Sequence, residues 1–224
     1  MFDKGKVVSY ISDCCERSKN RKFVQSFDVS IRFLVDHSKK NKPFKGYLNL
    51  PHGYGARLRI LAVVSDEHVE YFSQSSLIDD VCSITDITSL SVARLRGCYA
   101  VLTSSSLVES LFPVARRLSS RGLMPNLSYG TVCDDIISVA KDIKENGRIF
   151  FRMDKYGIVH CKLGMENDTV ENLSDNFLSA FTKIRDDYLD SVDKKGSRDI
   201  LKSVALSTTM GGVVKIPIKF LKLV

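Results

Sequence analysis

The sequence predicts two bodies of different class: a discontinuous α+β domain built from residues 1–54 and 148–224, and an α/β domain inserted between them over residues 55–147. Three observations predict it. Toward both ends of the chain, apolar residues alternate with polar ones, as in strands with one wet face. In the middle, near-continuous apolar runs alternate with helical patterns, as in a parallel sheet covered on both sides. The charge divides at nearly the same places: residues 1–60 hold 13 Lys/Arg against 5 Asp/Glu (+8), residues 61–147 hold 7 against 11 (−4), and residues 148–224 hold 13 against 10 (+3). A uniform excess of lysine serves solubility, whereas a segregated excess suits a polyanionic partner. The joined ends would grip phosphates while the acidic insert avoids them.

Taken in order, Tyr10, Ile11, Cys14 and Cys15 fall at helical spacing, and the Ser-Lys-Asn-Arg that follows reads as the helix end. From Phe23 the period changes to two. Phe23, Phe27, Val29, Ile31 and Phe33 share one parity against Ser26, Asp28, Ser30 and Arg32, which predicts a long half-buried strand. His37 to Lys45 reads as an exposed basic loop, Tyr47 to Leu50 as a short strand, and Pro51 to Gly55 as a hinge between bodies. Beyond it come an apolar run at Leu58 to Val64, a helix at Glu67 to Ser75 and an apolar run at Tyr99 to Leu102. A helix over Ser106 to Leu118 follows, with Leu107, Leu111, Val114 and Leu118 as its stripe. Another runs from Asp134 to Lys144 and is ended by Asn146-Gly147. Ile149 to Met153 and Ile158 to Leu163 then predict a hairpin with Gly157 in its turn. Thr169 to Leu189 predicts a helix wide enough to cover a sheet face, and Ile200 to Leu206 and Val213 to Ile218 complete the strands.

Composition excludes several classes. With 44% hydrophobic and 26% charged residues, the 224-residue chain suits a packed, soluble globular protein. No apolar run approaches a bilayer-crossing length, and Asp3, Asp13 and Glu16 stand where a secretory signal would be uncharged, so export and membrane spanning are not expected. Six cysteines without C-x-x-C and four scattered histidines predict reduced structural thiols, no metal site and no cofactor. The glycines at 53 and 55 form no phosphate loop, and no paired acid and base signals catalysis. A small-molecule enzyme built on the insert is therefore the weaker rival to a binding protein.

Two segments suit a nucleic-acid partner. Arg21-Lys22-Phe23, followed by Ser26, sets an aromatic among cations, so the ring can stack on a base or ribose while the cations take phosphate. Ser207-Thr208-Thr209-Met210-Gly211-Gly212 combines hydroxyls with glycines that admit a sugar-phosphate edge close to the backbone, with Met210 placed to lie against a ribose. The plainer readings are a first core residue at Phe23 and an ordinary polar turn.

The motifs Lys22-Phe23, Pro51-His52-Gly53, Arg121-Gly122-Leu123-Met124-Pro125-Asn126, Gly130-Thr131-Val132, Asp154-Lys155-x-Gly157-x-x-His160 and Ser207-Thr208-Thr209-Met210-Gly211 occur in that order. Together they resemble the bacterial-type ribosomal protein L-one family over about residues 20 to 218. The resemblance implies an rRNA-binding first domain made from both ends and a Rossmann-like three-layer insert. It also implies a non-enzymatic role in the cytoplasm on the large ribosomal subunit, where the family organises the mobile stalk rRNA and helps deacylated tRNA leave the exit site. Bacterial relatives repress their own operon mRNA, and a monomer is expected when free. A paralogue acting in ribosome assembly is the nearer alternative.

Carried over by motif, the RNA-gripping residues are Lys22, Phe23, Ser26, His160, Thr208, Thr209, Met210 and Gly211. Arg21, Arg32, Lys39, Lys40, Lys155 and Lys162 are expected as secondary or electrostatic contacts. The chain departs from the family pattern at Ser119-Ser120, where Gly-Pro is usual, at Leu127, where Pro is usual, and in the lysine-rich loop 37–45.

Overall fold

The computed structural model describes residues 4–18, 21–34, 44–53, 58–89, 91, 93–191 and 200–220. In chain order the elements are α1 (Lys4–Ser18), β1 (Ser26–Phe33), β2 (Lys45–Leu48), β3 (Arg59–Val64), α2 (Val69–Ser73), β4 (Asp80–Ser83), β5 (Cys98–Thr103), α3 (Ala115–Ser119), α4 (Ile136–Glu145), β6 (Ile149–Arg152), β7 (Ile158–Met165), α5 (Val170–Ser191), β8 (Leu201–Thr208) and β9 (Val214–Ile216). The chain divides into two compact units. One joins Met1–Gly55 to Gly147–Val224, and the other is Ala56–Asn146.

In the unit made from both ends, four antiparallel strands lie in the order β7-β1-β8-β9. The central strand β1 alternates without a break, with Phe27, Val29, Ile31 and Phe33 buried and Ser26, Asp28, Ser30 and Arg32 partly exposed. The apolar face of the sheet packs beneath α1, which lies on β8 and β9, and α5, which lies on β7. Helix α5 brings Leu173, Phe177, Ala180, Phe181, Ile184 and Tyr188 to the core, and α1 brings Val7, Ile11 and Cys14. Phe33 stacks on Tyr188 at 4.2 Å between ring centroids, which adds to the stabilisation from burial alone. Phe23 departs from the expected strand. It lies before β1, 46% exposed, because the ladder partners of β1 on both neighbouring strands begin at Ser26 or Phe27.

The expected hairpin over 149–163 also takes a different form. The turn is present, with Gly157 at φ 78°, where a side chain would be strained, and the Asp154 carboxylate accepts from the N–H groups of Tyr156 and Ile158 at 2.8 Å each. The two strands, however, share only an isolated bridge between Met153 and Val159. Strand β7 pairs with β1, while β6 pairs with β2 in a separate two-stranded sheet. That β2/β6 pair has a useful geometry: the chain leaves and re-enters this unit on adjacent antiparallel strands. Asn176 of α5 holds the departing segment, accepting from the His52 N–H at 2.9 Å and donating to the His52 carbonyl at 2.7 Å and the Leu163 carbonyl at 2.8 Å. Residues 54 and 55 of the expected hinge and residues 37–43 of the expected basic loop lie outside the described residues.

The second unit holds a parallel sheet in the order β4-β3-β5, extended by a parallel bridge from Thr103 to Val132. Strand β3 is buried at every position after Arg59, as a strand covered on both faces must be. Leu61, Val63, Cys82 and Val101 share one core with Leu111, Val114, Leu118 and Leu123. The continuous helix expected over 106–118 is instead two 3-10 segments, Ser105–Leu107 and Glu109–Val114, followed by the five-residue α3. Pro113 is the cause: it has no N–H to donate and its ring crowds the carbonyl four residues back. No helix among the described residues is long and apolar enough to cross a membrane.

Candidate nucleic-acid interface

The unit made from both ends carries 24 Lys/Arg against 15 Asp/Glu, and the insert 9 against 11. The two segments that the sequence singles out meet at one end of the basic unit's sheet. Where β8 ends beside the start of β1, the Thr209 N–H donates to the Ser26 carbonyl at 3.2 Å, and the Ser26 N–H donates to Thr209 Oγ1 at 3.0 Å. The two hydroxyls also lie 3.0 Å apart, and Ser26 Oγ donates to the Asp28 carboxylate at 2.8 Å. From the other side Arg21 reaches the Met210 carbonyl at 3.5 Å, while the Met210 N–H donates to Gln25 Oε1 at 2.8 Å. Lys22 and Phe23 lie between Arg21 and Gln25, both of which bond to Met210, so the aromatic segment is tied to the turn at each end. Lys22, Phe23 and Met210 are exposed, Met210 by 60%. An exposed ring and thioether beside cations form a surface that water wets poorly and a base or ribose can cover.

Thr208 and Gly211 occupy a different layer. Thr208 is the last residue of β8 and only 4% exposed, and among the described residues its Oγ1 has no hydrogen-bond partner. Gly211 folds directly over it: a Cβ there would overlap Thr208 Oγ1 and come within 3.2 Å of Ser18 Cβ. These two residues therefore shape the turn from beneath, while Thr209 and Met210 face outward.

The polar face of the sheet continues from this corner, its β1 residues partly exposed. Asp28 stands in register with Lys162 on one neighbouring strand and Ser207 on the other. Two residues further, Ser30 is flanked by His160 and Ala205, with Ser30 Oγ and His160 Nδ1 3.0 Å apart and His160 exposed. Arg32 closes the row beside Ile158 and Ser203. At about 3.3 Å per residue, Ser26 to Arg32 spans roughly 20 Å, long enough to follow several phosphates of a folded RNA. Lys155 sits away from this row, in the turn before β7, with its ammonium 5.0 Å from the centre of the Tyr156 ring. Lys39 and Lys40 lie outside the described residues.

Sequence reasoning missed two members of this face. Lys215 is opposite Ala205 and exposed; the alternation Val214-Lys215-Ile216 could have signalled it. Asp28, in the sequence simply a polar strand position, accepts from Ser26 and brings a carboxylate among the cations. The thiols play another part. Burial pushes Cys14 up to about 11 and Cys161 up to about 12, so both stay protonated and pack as small apolar groups at neutral pH.

Residues 15–212 match the model of the Ribosomal protein L1p/L10e family. The chain is 33% identical to the large ribosomal subunit protein uL1 of Parabacteroides distasonis over 199 residues, covering 87% of this chain and 81% of the relative. It is 31% identical to the protein of that name from Azobacteroides pseudotrichonymphae over 200 residues, covering 88% and 82%. With the uL1 of Christiangramia forsetii it shares 29% identity over 223 residues, 97% of this chain and 92% of that one. A match of this length takes in both compact units and every motif of the corner at Ser26 and Thr209: the chain belongs to the Ribosomal protein L1p/L10e family.

Proposed function

We propose that the chain is a non-enzymatic constituent of the large ribosomal subunit whose basic unit grips folded stalk rRNA. The observation that carries the reading is the corner where Ser26, Thr209 and Met210 are hydrogen-bonded into one surface, with Phe23 and Met210 exposed beside Arg21 and Lys22. Recognition there is of shape and backbone. Hydroxyls and the Asp28 carboxylate meet ribose 2′-OH groups, Phe23 and Met210 exclude water, and Lys162, Arg32 and Lys215 supply salt-dependent attraction along the sheet. Family membership supports the extension that the protein assists release of deacylated tRNA from the exit site and represses its own operon mRNA, which would present the same RNA shape. The acidic insert takes no part in the rRNA grip on this reading.

Binding of a synthetic stalk rRNA fragment across a salt series tests the proposal. About 4 to 6 phosphate contacts predict a log-log slope of roughly −3 to −5. A variant in which a short glycine linker replaces residues 54–146 is expected to retain most of the affinity, since β2 and β6 already bring the two crossings side by side. A folded deletion variant that no longer binds, or a wild-type affinity indifferent to salt, would refute it.

A further inference from the structure

Gln25 is fully buried, directly before β1, and all three of its side-chain hydrogen bonds are to groups far away in sequence or at another element's end. Its Oε1 accepts the Met210 N–H at 2.8 Å. Its Nε2 donates to the Ser18 carbonyl at 2.9 Å and to Glu166 Oε2 at 3.3 Å. The surroundings fix the amide orientation, because a donor stands on one side and two acceptors on the other. Ser18 and Glu166 close the network: Ser18 Oγ donates to Glu166 Oε1 at 2.7 Å, and the Glu166 N–H donates to the Gln25 carbonyl at 2.9 Å. The Ser18 carbonyl is one of the last four of α1, which have no partner within the helix, so Gln25 also completes that end.

We propose that Gln25 is the positioning residue of the Met210 turn. It holds the turn's central N–H from below and, through Ser18 and Glu166, ties the end of α1, the segment after β7 and the turn into one unit. Backbone hydrogen bonds fix the neighbours of Met210, Thr209 to Ser26 and Gly211 to Thr208, but the Met210 N–H itself is held by this side chain. Released from Gln25, the turn would sample other arrangements, and Thr209 and Met210 would bind RNA only from the competent fraction, which lowers affinity in proportion. This inference rests on the RNA-binding reading for its consequence, though the link itself can be read without RNA.

Gln25→Met, close in length but without hydrogen-bonding groups, is expected to accelerate hydrogen exchange of the Met210 amide in the full-length protein and to weaken binding to the stalk rRNA fragment about tenfold. In a Met210→Ala background the same substitution should cost less than about threefold, because the two act through one turn. The proposal is overturned by unchanged Met210 exchange in Gln25→Met or by an equal loss of affinity in the Met210→Ala background. Failure of the wild-type chain to bind the fragment at any salt would instead remove the RNA reading, and the exchange measurement would still decide whether Gln25 holds the turn.

Discussion

Met210→Asp is expected to weaken binding to a stalk rRNA fragment about a hundredfold, roughly 2.7 kcal/mol, while shifting the unfolding midpoint little. The side chain is 60% exposed, so its replacement creates no cavity and buries no charge in the free protein. In the proposed complex the situation reverses. A carboxylate would meet RNA phosphates at the centre of the surface, where Arg21 is the neighbouring cation, and would draw water into a contact that the thioether keeps dry. Thr209→Val provides the companion measurement. It keeps the shape but strips the acceptor from the Ser26 N–H, so affinity should fall about tenfold with a stability loss near 1 kcal/mol. Gel-shift titrations beside thermal melts separate the two effects. Wild-type affinity in both variants would place the RNA elsewhere on the protein.

Which parts of this arrangement could be read from the chain alone follows from the range over which each is determined. Strand β1 was plain because alternation is local: Phe27, Val29, Ile31 and Phe33 carry the signal within eight residues. The charge pattern, basic toward both ends and acidic between residues 61 and 147, is legible in the chain itself. The broken helix near Pro113 was a misjudged local conflict, in which an apolar stripe at helical spacing outweighed the missing N–H. Sheet membership after Gly147 was beyond local reading. Both β6 and β7 are correct as strands, but their partners, β2 and β1, lie more than 100 residues earlier. The site shows the same divide. Phe23, Thr209 and Met210 stood out by residue type, whereas Gln25 carries no signal at all, since its role exists only once Ser18, Glu166 and Met210 surround it. Thr208, read as one hydroxyl among several, is buried because β8 continues through it.

Gly211→Ala should be the most disruptive single methyl addition at the interface, and its cost should depend on Thr208. The added Cβ would overlap Thr208 Oγ1, with Ser18 Cβ at 3.2 Å preventing escape toward α1. Thr208 is β-branched and 96% buried at the end of a strand, so one of its two other rotamers drives the methyl into the same space and both require a buried side chain to repack. The turn must lift, at a stability cost of about 1 to 3 kcal/mol and with the Met210 N–H drawn off Gln25. Affinity for RNA should fall about thirtyfold or more as the turn leaves its binding geometry. The explanation makes a sharper demand than loss alone. Because Thr208 Oγ1 has no partner among the described residues, Thr208→Ala removes the obstacle without leaving a hydrogen bond unmade. The double variant should therefore recover most of both losses, and its stability should exceed that of Gly211→Ala although it carries one more substitution. Additive effects in melts and titrations of the single and double variants would show that Gly211 is needed for some reason other than its approach to Thr208.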